Sequence, residues 1–139
     1  MARAVRLVYY SKATRDMSLS DLRDILQTAR DNNGDVDVCG MLCYDNRYFL
    51  QALEGERAVV NELYLDIADD ARHDEIIIIS YAEVEKPTFE QWKMGYSAGS
   101  DAFYTLLKEN GQSEFDPAAM SAEQAVEFLT AMAAFQTEV

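Results

Sequence analysis

Residues 48–55 read Tyr48-Phe49-Leu50-Gln51-Ala52-Leu53-Glu54-Gly55, and through Leu53 the run is apolar on both faces apart from one amide. Side chains alternate along a strand, so Phe49, Gln51 and Leu53 share one face while Tyr48, Leu50 and Ala52 share the other. Apolar residues on both faces mark a strand covered on both sides. An amide buried there is costly unless its donors and acceptor are all used. Gln51 therefore needs a polar partner, supplied either by the protein or by a ligand.

The flanking sequence extends this strand into a sheet. Asp45-Asn46 is a good two-residue hairpin connection between strands at about 38–44 and 47–53. Residues 4–11 read as an earlier strand. Between them lies a helix capped by Ser18 with Asp21 three positions on, much like a capping box. Its apolar stripe is Leu22, Ile25, Leu26 and Ala29, and Asn32-Asn33-Gly34 is expected to end it. A second amphipathic helix spans 56–70 through Val59, Val60, Leu63 and Ile67. The β-branched run Ile76-Ile77-Ile78-Ile79, inside 75–83, predicts a central strand. Pro87 breaks it, and Phe89-Glu90-Gln91-Trp92-Lys93-Met94 predicts a short last strand. The order is β-α-β-β-α-β-β, an α+β class with a ferredoxin-like mixed sheet and one extra strand. Right-handed crossovers place both helices on one face. The other face needs cover, which residues 100–110 and 117–137 can supply. Ser121 and Gln124 suit a capping box, and Ala125, Val126, Leu129, Met132 and Ala133 keep helical spacing. Phe128 and Phe135 widen that stripe, which suggests burial against a second subunit as well. The loop from Gly111 to Pro117 is the expected hinge.

At 139 residues the chain fits one domain. No stretch is long and apolar enough to cross a bilayer and no signal-peptide core is present, so a cytoplasmic location is expected. Cys39 and Cys43 lie four apart in a predicted strand, about 13 Å between Cα atoms, too far for a disulfide. Both read as small core residues. His73 is the sole histidine and no paired Cys or His motif exists, so no metal site is expected. The formal net charge of −13 argues against direct nucleic-acid binding and against anionic membranes.

Signatures of common catalysts are absent: there is no phosphate-binding glycine loop and no nucleophile elbow. What stands out is a set of polar or redox-active residues in apolar settings. Tyr9 shares a face with Val5, Leu7 and Ser11, and reads either as a core phenol bonded to a backbone carbonyl or as a functional group. Gln51 reads equally as a core amide that ties down a loop. Asn32 and Asn33 are ordinary helix-ending residues, and Trp92 and Met94, sharing a strand face, are ordinary packing. Together, Tyr9, Asn33, Gln51, Trp92 and Met94 converge on one end of the sheet and on the groove between the first two helices.

Several runs resemble the BLUF domain, the blue-light sensor that uses flavin: Arg6-Leu7-Val8-Tyr9, Asn32-Asn33, Cys39-Gly40-Met41-Leu42-Cys43-Tyr44, Phe49 to Gly55, Asp70-Ala71-Arg72-His73 and Phe89 to Met94. The resemblance covers about residues 3–97, and Phe49 to Gly55 is its most specific part. It implies residues 1–97 as a flavin-binding domain and 98–139 as a helical extension packed on the sheet. The implied cofactor is FAD, with FMN as the alternative form, bound between the two helices. The implied cofactor-binding set is Tyr9, Asn32, Asn33, Gln51, Arg72 and His73, with Asn33 firmer than the family-variable Asn32. Tyr9, Gln51, Trp92 and Met94 are the implied photoactive set. Tyr9 gives up an electron and a proton, the Gln51 amide rotates or tautomerises, and the last strand and C-terminal helices carry the change to a separate signalling protein. The implied chain is a stand-alone photoreceptor and not an enzyme, with a homo-oligomer expected. A flavin-dependent oxidoreductase or a cofactor-free ferredoxin-like interaction module are the alternatives.

Overall fold

The computed structural model describes residues 4–138. A five-stranded mixed sheet carries helices on both faces. Its strands are β1 (Ala4–Ala13), β2 (Cys39–Asp45), β3 (Tyr48–Glu56), β4 (His73–Val84) and β5 (Gly95–Ala98), in the spatial order β4-β1-β3-β2-β5. All neighbours are antiparallel except β2 and β5, which are parallel. This is the ferredoxin-like plan with one strand added.

Helices α1 (Leu19–Val36) and α2 (Arg57–Ala68) cover one face. Their core contains Leu7, Tyr9, Leu22, Leu26, Phe49, Leu53, Val60 and Met94. Helices α3 (Asp101–Glu109) and α4 (Ala122–Met132) cover the other. That second core contains Val8, Leu50, Ala52, Phe89, Phe103, Phe115, Phe128 and Leu129. The alternation along β3 thus distributes Phe49 and Leu53 to one core and Leu50 and Ala52 to the other. Among the described residues no helix is long and apolar enough to cross a membrane.

The capping boxes at Ser18/Asp21 and Ser121/Gln124 form as their sequences dictate. Several boundaries differ. Helix α1 runs through Asn32-Asn33-Gly34 and stops at Val36, with Asp37 in the left-handed conformation at φ 56°. Gly34 is tolerated inside the helix because the Lys93 side chain passes over it: a Cβ there would lie 2.9 Å from Lys93 Nζ. The hairpin turn is Asn46-Arg47 rather than Asp45-Asn46, with φ of 50° and 63°, the two positive angles of a type I′ turn. Helix α2 is shorter than 56–70, and α4 ends at Met132, preceded by a separate 3₁₀ turn at Pro117–Ala119.

Two strand expectations fail. The isoleucine run does not form a central strand: β4 is the edge, and Ile77 and Ile78 are 48% and 47% exposed. A β-branched run reports a preference for extended backbone, not a place in the sheet. Irregularities in the β1–β4 register between Val8 and Tyr9, and between Tyr10 and Lys12, further break the alternation. Phe89 to Met94 is not a strand either; β5 begins at Gly95, and the preceding residues run irregularly from the α3–α4 core at Phe89 to the α1–α2 core at Met94. Trp92 and Met94 therefore share no strand face. Phe128, whose spacing suggested a second subunit, is fully buried in its own chain, whereas Phe135 is 51% exposed.

Candidate functional site

A cleft with a cavity volume of about 100 Å³, partly open to solvent, lies between α1 and α2 above the sheet. Ile25 and Ala29 form one wall, Leu63 and Ile67 the other, and Leu42, Gln51 and Leu53 the floor. Amides stand at one end with Asn32 and Asn33, and Asp70, Arg72 and His73 at another part of the lining. Apolar walls with a few polar groups suit a flat, largely apolar ring with a hydrogen-bonding edge.

The floor carries a chain of three side chains. Tyr9 and Gln51 are directly opposite in the β1–β3 register, so their side chains share the cleft face. The Tyr9 hydroxyl donates to Gln51 Oε1, and Gln51 Nε2 donates to Met94 Sδ at 3.3 Å. All three residues are buried. Burial, reinforced by Tyr64 and Asp70, holds the Tyr9 phenol far above the usual range, so it is neutral. Its ring meets Tyr64 edge-on at 5.7 Å.

Asn33 is buried at the last turns of α1, and its Nδ2 donates to the Lys93 carbonyl at 2.6 Å. One helical turn earlier, Arg30 Nε donates to the Met94 carbonyl at 3.1 Å. Together they fix the segment that holds Met94 beside Gln51. Arg30 was not anticipated, although its three-residue spacing from Asn33 places both on one face of the helix. Trp92 lies elsewhere: it packs, half-buried, against the core on the other side of the sheet.

Arg72 makes a two-pronged contact with Asp70, Nε to Oδ1 at 3.0 Å and Nη2 to Oδ2 at 2.6 Å. This pairing lowers the Asp70 pKa and raises that of Arg72. Asp70 thus holds the Arg72 guanidinium in place at the lining of the cleft. His73 Nδ1 lies 2.7 Å from Ser11 Oγ. Burial, opposed in part by Asp70, pushes its pKa down to about 4, so the imidazole is neutral at pH 7.

Another residue without an anticipated role is Glu54, on the opposite face of β3 from Gln51. Its buried carboxylate accepts the Thr88 and Phe89 backbone N–H groups at 2.8 and 2.7 Å and Arg6 Nε at 3.0 Å. It anchors the crossing that leads to Trp92 and Met94. The signal was present as a carboxylate in a doubly covered strand, the same anomaly as Gln51.

The family profile described as sensors of blue-light using FAD matches residues 4–95. The chain belongs to the BLUF family. The beta subunit of the photoactivated adenylate cyclase of Euglena longa is 36% identical over 89 residues, 63% of this chain and 10% of that protein. The chain spans about a tenth of the length of such curated relatives. Among solved structures, BlsA in its photo-activated state matches with a TM-score of 0.92 and 34% identity, covering 98% of this chain and 99% of BlsA. The dark-state structure of BlrB, a BLUF protein, matches at 0.81 and 25% identity, over 96% and 98% of the two chains. BLUF domains bind flavin, and the α1–α2 cleft, with its apolar walls and the Gln51 and Asn33 amides, has a lining whose chemistry fits a flat ring with a hydrogen-bonding edge.

Proposed function

We propose that this chain is a blue-light sensor whose switching element is the Tyr9–Gln51–Met94 chain on the cleft floor. The observation that carries this reading is the phenol, amide and thioether in unbroken contact beneath an apolar-walled cleft between two helices. Gln51 and Asn33 hold the cofactor's hydrogen-bonding edge, with Asn32 at the exposed rim and His73 at the Asp70–Arg72 end. FAD is the form we assign, FMN being the alternative. Bound flavin supplies the blue absorption and, once excited, an electron acceptor.

Tyr9 is a neutral phenol, and oxidation makes its proton strongly acidic. Gln51 Oε1 is already the acceptor of that proton. Proton transfer and return leave the Gln51 amide rotated or tautomerised, so it no longer donates to Met94 Sδ in the same way. A local hydrogen-bond change thereby biases a two-state segment, Lys93 to Gly95. Met94 is the inner partner in this scheme, while Trp92 senses movement from the other side of the sheet. We assign sensing to about residues 1–97 and output to 98–139, acting on a separate protein in the cytoplasm without catalytic turnover of its own. Self-association is expected to use Phe135 rather than Phe128.

The test is the absorption spectrum of the purified protein before and after blue light. A flavin band that shifts red and recovers in darkness supports the proposal, and simple bleaching overturns it. Tyr9→Phe and Gln51→Leu should each abolish the shift with flavin still bound. A normal photocycle in either variant would refute the assigned mechanism.

A further inference from the structure

The outer edge of β5 has no neighbouring strand in the sheet, yet its backbone groups are occupied. Tyr96 N–H donates to Gln136 Oε1 at 2.9 Å, Tyr96 C=O accepts from Thr137 N–H at 2.8 Å, and Ala98 N–H donates to Thr137 Oγ1 at 3.1 Å. These contacts come from the segment that follows α4. Two of the three acceptors are side-chain oxygens, and Gln136 is itself exposed. A true added strand would present backbone carbonyls to Tyr96 and Ala98 in place of the Gln136 amide and Thr137 hydroxyl. The segment is a partial copy of a strand, held at an edge that an extended peptide would fill more completely.

We propose that the β5 edge is a docking site for an extended, basic segment of a partner protein, with Gln136–Thr137 as the chain's own occupant. The seated segment makes one strand-like backbone contact with this edge, Thr137 N–H to Tyr96 C=O, and meets its two N–H groups with side-chain oxygens. Gln136 also lines an adjoining open groove with Phe89, Trp92, Ala133 and Ala134, which can take a side chain of the incoming strand. Basic character follows from Glu90, which lines the adjoining groove, and from the formal charge of −13.

Resting on the light-sensing reading above, the exchange is light-dependent. Met94 directly precedes β5, and Gln51 Nε2 holds its sulfur. Movement of Met94 displaces Gly95 and Tyr96, the residues to which the tail is tied.

The test uses the full flavin-loaded chain, in darkness and under blue light. The probe is a short fluorescein-labelled peptide of alternating valine and threonine with lysines at both ends. Exchange of the Tyr96 and Ala98 amides is followed together with peptide anisotropy. Light should speed exchange and tighten peptide binding, each by roughly tenfold or more, the loss of two hydrogen bonds. Gln136→Ala with Thr137→Pro should bind the peptide tightly in darkness too. Bound peptide should protect Tyr96 and Ala98. The proposal falls if the double variant binds no better than the dark parent, or if bound peptide leaves those amides unprotected. Its light-dependent part falls if exchange is unchanged in a sample whose absorption has shifted. Absence of the shift itself would refute the sensor reading instead, leaving the dark comparison to decide the docking site. Should the double variant lose its flavin band, Thr137→Val removes one acceptor and keeps the backbone; it must bind more tightly than the parent in darkness.

Discussion

Glu54 offers a quantitative test of how the Met94 segment is held. Its carboxylate accepts from two backbone N–H groups and from Arg6, and it is only 1% exposed. Glu54→Gln keeps one oxygen for Thr88 and Phe89 but sets an amide against the Arg6 guanidinium. Losing that charge-assisted bond costs about 1.5–3 kcal/mol. Glu54→Ala leaves the Phe89 N–H buried without its acceptor, and leaves Arg6, 19% exposed, with its Nη2 bond to Thr88 Oγ1 but no carboxylate partner at Nε. Removing one member of such a pair costs about 3–5 kcal/mol. Urea unfolding in darkness at neutral pH, at fixed excess flavin, measures both variants against the parent. The ordering should be parent, then Gln, then Ala, with unchanged slope. An alanine variant within about 1 kcal/mol of the parent would refute the anchoring role. So would a glutamine variant as unstable as alanine, because the two backbone contacts would then contribute nothing.

His73 titrates at about 4 when folded, below its ordinary 6.5, so the unfolded chain binds its proton first as pH falls. Its contribution is complete above pH 6.5 and declines toward pH 4, by at most about 3 kcal/mol, and His73→Gln should flatten that part of the stability–pH curve. Gly40→Ala would bring a Cβ within 2.8 Å of Met94 Cε and close to the Ala52 carbonyl. It should destabilise by about 1–3 kcal/mol and alter the dark flavin band, read by melting and absorption. Asp37→Gly relieves the left-handed backbone after α1 and should raise stability by up to about 1 kcal/mol, measured by denaturant midpoint.

The parts legible in sequence were those decided by local chemistry. Ser18 with Asp21, and Ser121 with Gln124, carry their own partners, so the helix starts needed no tertiary information. The alternation along β3 likewise separated the two cores. Gln51 announced itself as an anomaly, but residue spacing did not specify that β1 lies beside β3 in the register that sets Tyr9 opposite it. The less legible features depend on distant contacts. Helix α1 passes Gly34 beneath the Lys93 side chain. The segment before β5 is bent by Glu54, Arg30 and Asn33, from elements far away in the chain. That bend puts Met94 and Trp92 on opposite sides of the sheet, which no periodicity of their own sequence encodes.

The exposed edge of β4 sets a condition on handling the protein. Ile77 and Ile78 lie about half exposed on an outer strand, the pattern that seeds edge-to-edge association. Asp74 and Glu75 stand at one end of the run and Glu85 beyond the other, acting as gatekeepers by like-charge repulsion between copies. That protection is charge-dependent and fades as solution pH approaches the sequence pI of about 4.3. Colloidal stability and conformational stability therefore decline over the same acidic range, so turbidity must be recorded alongside unfolding when His73 is titrated.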